Sequence, residues 1–264
     1  MAIFHLSVKS VGRSAGRSAL ASSAYRTASL LRDERTGSVY NFTRKRGVEH
    51  TEIITPDRHG WSRQELWSAA ESREKRKDAR TAREYEIALP SELDAEQRKA
   101  LAVAFAELLA DRYNIAVDVA VHGPGHDGDN RNHHAHLLCT TRQVSRTETG
   151  DLEFGEKATV ELNDRDRAVL GLGTGINEIK EIREQWATLA NEHLARAGRE
   201  ERIDHRSYKE QGLLDYPTTP HIGHAAAAME RRGIKTILGD LRRQVLEEQK
   251  NYNAGLGVSD SDND

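Results

Sequence analysis

Ile115-Ala116-Val117-Asp118-Val119-Ala120-Val121-His122 and Asn132-His133-His134-Ala135-His136-Leu137-Leu138 decide how this chain folds. In the first stretch, valines at 117, 119 and 121 take one side while Asp118, Ala120 and His122 take the other, the period-2 pattern of a strand. The second stretch reads as a strand over 134–140, with His134 and His136 on one side. The polar, Gly-rich segment 123–131 lies between them as a loop. Working outward, residues 2–9 and 83–89 alternate as strands, and 35–40 and 52–54 read as a turn into a short strand and a further strand ended by Pro56. Helices are predicted over 15–31 (buried stripe Leu20, Ala24, Ala28, Leu31), 63–77 and 177–197, the last stopped by Gly198. Another helix begins at the Asp94-x-x-Gln97 capping box, with Leu101, Phe105, Leu108 and Leu109 as its apolar face. Residues 145–175 read as a polar excursion, 238–250 as a last helix and 251–264 as a disordered tail. The expected class is α+β (α/β layered), with a central, mainly antiparallel β-sheet flanked by helices.

The 264 residues are enough for one large domain or two small ones. No stretch approaches the ~20 apolar residues of a membrane span, and no signal peptide is read at the N-terminus. A single cysteine, Cys139, excludes an internal disulfide and fits a reducing cytoplasm. Net charge is -3, but residues 1–50 hold nine Lys/Arg against three Asp/Glu. A basic N-terminal fifth on an acidic body is the distribution expected of one face that meets a polyanion.

If strands 115–122 and 134–140 pair through the intervening loop, His122, His134 and His136 converge. Three imidazoles with open coordination positions describe a catalytic metal site rather than a closed structural one. His126, in the loop, and His133, of opposite parity to His134, are the rival ligands. Glu84 and Glu86 share one face of strand 83–89; a carboxylate beside an imidazole fixes its tautomer, whereas pairing with Arg80 or Arg83 at the surface is the other reading. Tyr25 has small helical neighbours, Ser18, Ala21, Ser22 and Ser29, which suit both close packing on the sheet and a bare surface open to a phosphate. Together these residues fit one reaction, attack of the Tyr25 hydroxyl on a phosphodiester beside a bound cation, leaving a phosphotyrosine and a free 3′-OH.

Several stretches carry a family resemblance. Met1-Ala2-Ile3-Phe4-His5-Leu6, Gly16-Arg17-Ser18-Ala19 and Ser23-Ala24-Tyr25-Arg26 resemble the start of MobA/MobL-type plasmid relaxases. Residues 71–79, Ala82-Arg83-Glu84-Tyr85-Glu86-Ile87-Ala88-Leu89-Pro90, the 132–138 stretch, Ile203-Asp204-His205-Arg206-Ser207-Tyr208 and Gln211-Gly212 continue the resemblance in order. It implies an HUH-class fold over 1–235, followed by the 236–250 helix and the 251–264 tail. It also implies a single-tyrosine nuclease that nicks one strand at an origin of transfer and stays on the 5′ end. By position, Tyr25 is the nucleophile; His122, His134 and His136 hold Mg²⁺ or Mn²⁺; Glu84 orients a metal histidine. The family often has Pro where His133 stands, and strand parity favours His134 as the ligand. Single-stranded origin DNA, relaxosome accessory proteins and a type IV secretion coupling protein are the implied partners. The implied location is the bacterial cytoplasm, with transfer alongside the strand and no membrane insertion.

For DNA contacts the candidates are Lys9, Arg13, Arg17 and Arg26 near the nucleophile, and Arg44, Lys45 and Arg46 for flanking duplex. The competing functions are an HUH-class rolling-circle initiator or transposase, a metal-stabilised DNA-binding module that does not cut, and a zinc hydrolase with an activated water.

Overall fold

The computed structural model describes residues 3–125, 130–220 and 222–255. Two compact units emerge, Met1–His205 and Arg206–Asp264. In chain order the first unit contains β1 (Leu6–Gly12), α1 (Ala19–Arg26), β2 (Leu30–Asp33), β3 (Ser38–Asn41), β4 (Val48–Ile54), α2 (Arg63–Arg73), β5 (Arg80–Ala88), α3 (Ala95–Tyr113), β6 (Val117–His122), β7 (His134–Thr140), β8 (Arg142–Arg146), β9 (Leu152–Lys157), α4 (Asp164–Val169) and α5 (Gly175–Arg196). Five strands form one sheet in the order β1-β5-β7-β6-β4, and every pair is antiparallel. The layered α+β expectation therefore holds. The second unit contains α6 (Gly223–Arg231) and α7 (Ile237–Gly255). Helix α7 extends beyond the 238–250 span read from sequence, so 251–255 is helical rather than part of a disordered tail; residues 256–264 lie outside the described residues.

The two faces of the sheet differ in chemistry because its strands alternate. Val117, Val119, Val121, Ala135, Leu137, Tyr85 and Ile87 face one way, into a core closed by Leu101, Phe105 and Leu109 of α3 and Ile182, Trp186 and Leu194 of α5. Phe105 and Trp186 meet at a tilt of 55°, with 5.0 Å between centroids. Each such fully buried large side chain contributes roughly 2–3 kcal/mol. The other face carries Asp118, Ala120, His122, His134, His136, Glu84 and Glu86. Helices α1 and α2 close one end of it with Leu20, Ala24, Leu66, Trp67 and Ala70 against Leu138, Ala82 and Val11.

Helix α3 starts where its capping box requires: Gln97 N donates to Asp94 Oδ1 at 2.8 Å and Asp94 N to Gln97 Oε1 at 3.0 Å. Helix α1 is much shorter than the 15–31 span read from sequence. It ends at Arg26 because Ala28 takes a left-handed conformation, φ 52°, and Ser29 N reaches back to Ala24 O at 3.0 Å. That closure normally uses glycine, so an alanine gave no stop signal. Leu31 is still buried, but from the β2–β3 hairpin. The segment 145–175 also departs from expectation. It holds the β8–β9 hairpin and α4, pinned by Arg167, whose guanidinium reaches Thr159 O, Gly173 O and Glu178. Helix α2 stops at Arg73 rather than 77, and β1 begins at Leu6 rather than near residue 2.

Three buried polar contacts fix α1 on the sheet. Glu71 of α2 accepts from Ala19 N at 2.8 Å, at the positive end of the helix, and also pairs with Arg13. Asp118 of β6 accepts from Ser23 Oγ at 2.6 Å, Trp67 Nε1 at 2.9 Å and Arg63 Nε at 2.9 Å. Arg26 binds Glu84 of β5 through Nη2 at 2.8 Å and through Nε. Asp118→Ala leaves Ser23 Oγ, Trp67 Nε1 and Arg63 Nε without their acceptor, and the expected loss is about 3 kcal/mol. Urea unfolding of the metal-free protein measures it; a loss under ~1 kcal/mol would show that Asp118 does not anchor α1.

Candidate metal and phosphoryl-transfer site

His122 is the last residue of β6 and His134 the first of β7, and the two are register partners. His136 follows on the same face, opposite Ala120, whose methyl leaves room for the ring. The ring centroids lie 4.9–5.2 Å apart, and one nitrogen of each ring lies within 4.8 Å of the other two. The three residues singled out from sequence are thus gathered at one point. His133 is outside this group, with its Nδ1 buried and unbonded and its carbonyl accepting from Leu89 N. His126 lies outside the described residues.

Each ring has one nitrogen committed. His122 Nε2 donates to the carbonyl of Arg26 at 2.6 Å, His134 Nδ1 to the carbonyl of Asn132 at 3.2 Å, and His136 Nδ1 to Glu84 Oε1 at 2.8 Å. A carbonyl or carboxylate can only accept, so each bonded nitrogen carries the proton and the other keeps a lone pair in the neutral ring. This is the outer arrangement typical of metal-binding imidazoles. Burial pushes the His122 ring down to about 3, helped by nearby Lys45, His136 and His134 and opposed by the Arg26 carbonyl. His134 is lowered for the same leading reason.

Glu84 is 1 % exposed. Burial alone would raise its protonation, but hydrogen bonds from His136 and Arg26 hold it at about 2. Glu86, directly across from His136, pairs instead with Lys9. Glu84 therefore reaches its histidine diagonally and not through the register pair.

Tyr25 is 47 % exposed on the last turn of α1. Its neighbour Arg26 is tied twice to the histidines, by its carbonyl to His122 and by its guanidinium through Glu84 to His136. The ring of Tyr25 meets the turn that follows β3. Phe42 meets it edge-on at 5.2 Å, and Lys45 Nζ sits 4.1 Å from its centroid while donating to the Tyr25 carbonyl at 2.9 Å. Burial and the Arg26 charge lower Lys45 to about 8, so it is still protonated at neutral pH.

The basic residues singled out for DNA divide into two groups. Arg17, Arg44 and Arg46 are exposed and make no ion pair among the described residues. Arg13 donates its guanidinium to Glu71 and to the carbonyls of Glu71, Glu74 and Arg76, so its charge is partnered within the chain. Arg26 is likewise engaged with Glu84, and Lys9 with Glu86. Sequence reading missed the holding role of Arg26, the anchor Asp118 and the contact of Phe42 with Tyr25. Of these only Asp118 left a signal, a lone acid inside a valine strand.

The unfolded chain binds a proton at His122 near pH 6.5, whereas the folded ring binds one near 3. Stability of the metal-free protein is thus complete above about pH 6.5 and falls as pH drops through that window, with a limiting slope of about 1.4 kcal/mol per unit for one proton. Glu84, lowered from 4.5 to about 2, adds a second loss below pH 4.5. Urea midpoints at pH 7.5, 5.5 and 4 should fall in that order; a flat midpoint between 7.5 and 5.5 would contradict the buried neutral ring.

The profile of the MobA/MobL family matches residues 17–232. Mobilization protein MobL of Acidithiobacillus ferridurans is 44% identical over 255 residues, covering 88% of this chain and 65% of that protein. Conjugal transfer protein TraA of Rhizobium radiobacter is 34% identical over 95% of this chain, which spans 24% of TraA. A solved structure from work on the molecular basis of vancomycin resistance transfer in Staphylococcus aureus is 30% identical, with a TM-score of 0.63, and covers 78% of this chain and 100% of its own. The chain spans less than two thirds of either of these curated relatives. The match across 17–232 and the identity to MobL place this chain in the MobA/MobL family.

Proposed function

We propose that this chain is a conjugative relaxase that nicks one DNA strand at a plasmid origin of transfer, with Tyr25 as nucleophile. The observation that carries the reading is the double tie of Arg26, the residue after Tyr25, to the three-histidine cluster. Family membership supports it independently.

The donor set fits a divalent cation: three imidazoles, each oriented through its second nitrogen. His122, His134 and His136 would hold the ion. Imidazole donors suit Mn²⁺ better than Mg²⁺, which prefers an oxygen shell. When bound, the cation supplies positive charge toward the scissile phosphate.

The chain's own residues do the rest. Tyr25 Oη forms a bond to phosphorus as the P–O3′ bond breaks; the phenolic proton leaves and the 3′ oxygen departs as a hydroxyl. The diester energy is kept in the phosphotyrosine, so a 3′-OH can later reverse the step. Glu84 orients His136 and holds Arg26, and so the end of α1, against the sheet. Arg17, Arg44 and Arg46 are the exposed cations for the DNA backbone. Single-stranded DNA at the origin, relaxosome accessory proteins and a type IV coupling protein are the proposed partners. The proposed setting is the bacterial cytoplasm, with passage to a recipient on the strand. Among the described residues no helix is long and apolar enough to cross a membrane.

Tyr25→Phe should abolish covalent attachment to a captured single-stranded plasmid fragment, while affinity changes by less than about threefold, or ~0.7 kcal/mol. Denaturing gels and fluorescence anisotropy read the two. Full nicking by that variant would favour a hydrolase with an activated water, and binding without cleavage under any divalent ion would favour a non-cutting module. Glu84→Gln should weaken Mn²⁺ affinity by about 10–100-fold in calorimetric titration; unchanged affinity would remove Glu84 from the metal site.

A further inference from the structure

The exposed phenol of Tyr25 needs something to hold it. Around it α1 offers only small side chains, Ser18, Ala21 and Ser22, so the helix provides no wall. A half-exposed tyrosine with no wall samples several staggered rotamers, and a nucleophile displaced by about 1 Å loses of the order of a hundredfold in rate. The wall comes instead from the turn that follows β3. Phe42 presents its ring at 88° to the phenol, and Lys45 places its ammonium over the ring face while donating to the carbonyl of the same residue. The turn is itself tied down, since Phe42 N donates to Ser29 O at 3.0 Å and Lys45 N to Phe42 O at 2.8 Å. Arg26 lies farther from the ring, 5.6 Å, with its guanidinium engaged by Glu84.

We propose that residues 42–45 form a holder for the nucleophile, and that Lys45 is a positioning residue for phosphoryl transfer rather than a contact to flanking duplex. The inference rests on the relaxase reading for its chemistry and on contacts within the chain for its geometry. An ammonium over a ring face is attracted to it, and its charge also opposes the negative charge that builds on the phenolic oxygen as its proton leaves. A lysine reserved for duplex phosphate would keep its ammonium free of the chain; this one is seated over the Tyr25 ring and donates to the carbonyl of the same residue.

The test uses the full chain loaded with Mn²⁺ and a single-stranded oligonucleotide identified by its covalent capture on the wild-type protein. Lys45→Met should slow single-turnover adduct formation by about 10–100-fold, while affinity stays within about threefold and the salt dependence of binding is unchanged. Lys45→Arg should recover much of the rate. Phe42→Leu, which leaves every charge in place, should slow the same step and so guards against misfolding of the first variant. The opposite pattern, a bound complex that reacts at the wild-type rate with weaker binding and a salt slope reduced by about one, would make Lys45 a phosphate contact and overturn the proposal. A second readout needs neither DNA nor metal. With ring-¹³C tyrosine, assigned through Tyr25→Phe, Lys45→Met should move the Tyr25 resonance; an unmoved resonance would overturn the holder. If wild-type protein forms no adduct, the relaxase reading falls by itself and the resonance still decides the holder.

Discussion

A buried carboxylate that keeps its charge dictates the arrangement around it. Glu84 lies in the sheet with almost no water, where an unpaired charge costs several kcal/mol. It stays ionised because Arg26 and His136 both donate to it. Neither partner is optional, so the end of α1 has to lie against β5 and the ring of His136 has to turn its Nδ1 inward. Asp118, on β6 at the other side of β7, is likewise shared by several donors, Ser23, Trp67 and Arg63, although burial pushes its carboxyl up where that of Glu84 is held down. Two carboxylates flanking one strand thus bolt a short helix to the polar face of the sheet.

The opposite face explains how the sheet bears this concentration of charge. Its valines, leucines and aromatics close against α3 and α5, and the carboxylate at the edge of that layer, Glu178 of α5, is shared by Tyr113, Arg112 and Arg167. Hydrophobic burial there is non-directional and abundant; the polar face is directional and sparse. The alternation of β6 separates the two functions residue by residue.

That alternation is why so much could be read in advance. Parity alone puts Asp118, Ala120 and His122 on one side of their strand and His134 and His136 together on one side of theirs; the pairing of β6 with β7 brings the three rings together. Helix α3 was legible because its capping box is local. The end of α1 was not, because it depends on an alanine in a left-handed turn and on a hairpin that claims Leu31. The charges of Arg13 and Arg26 are visible in the sequence, but their partners within the chain are not. Their carboxylates, Glu71 and Glu84, each lie 58 positions away. Phe42 was invisible for the same reason, since only the fold brings it to Tyr25.

The long span of these ties bears on how the protein is made. As the chain leaves the ribosome, α1 precedes its partners: Glu71 follows Ala19 by 52 residues and Asp118 lies 95 beyond Ser23. An eight-residue helix has little stability alone, and distant pairings form late because their loops must close first. A nascent chain that has not reached β6 therefore carries the tyrosine on a helix that lacks its Asp118 anchor and the His122 contact to the Arg26 carbonyl.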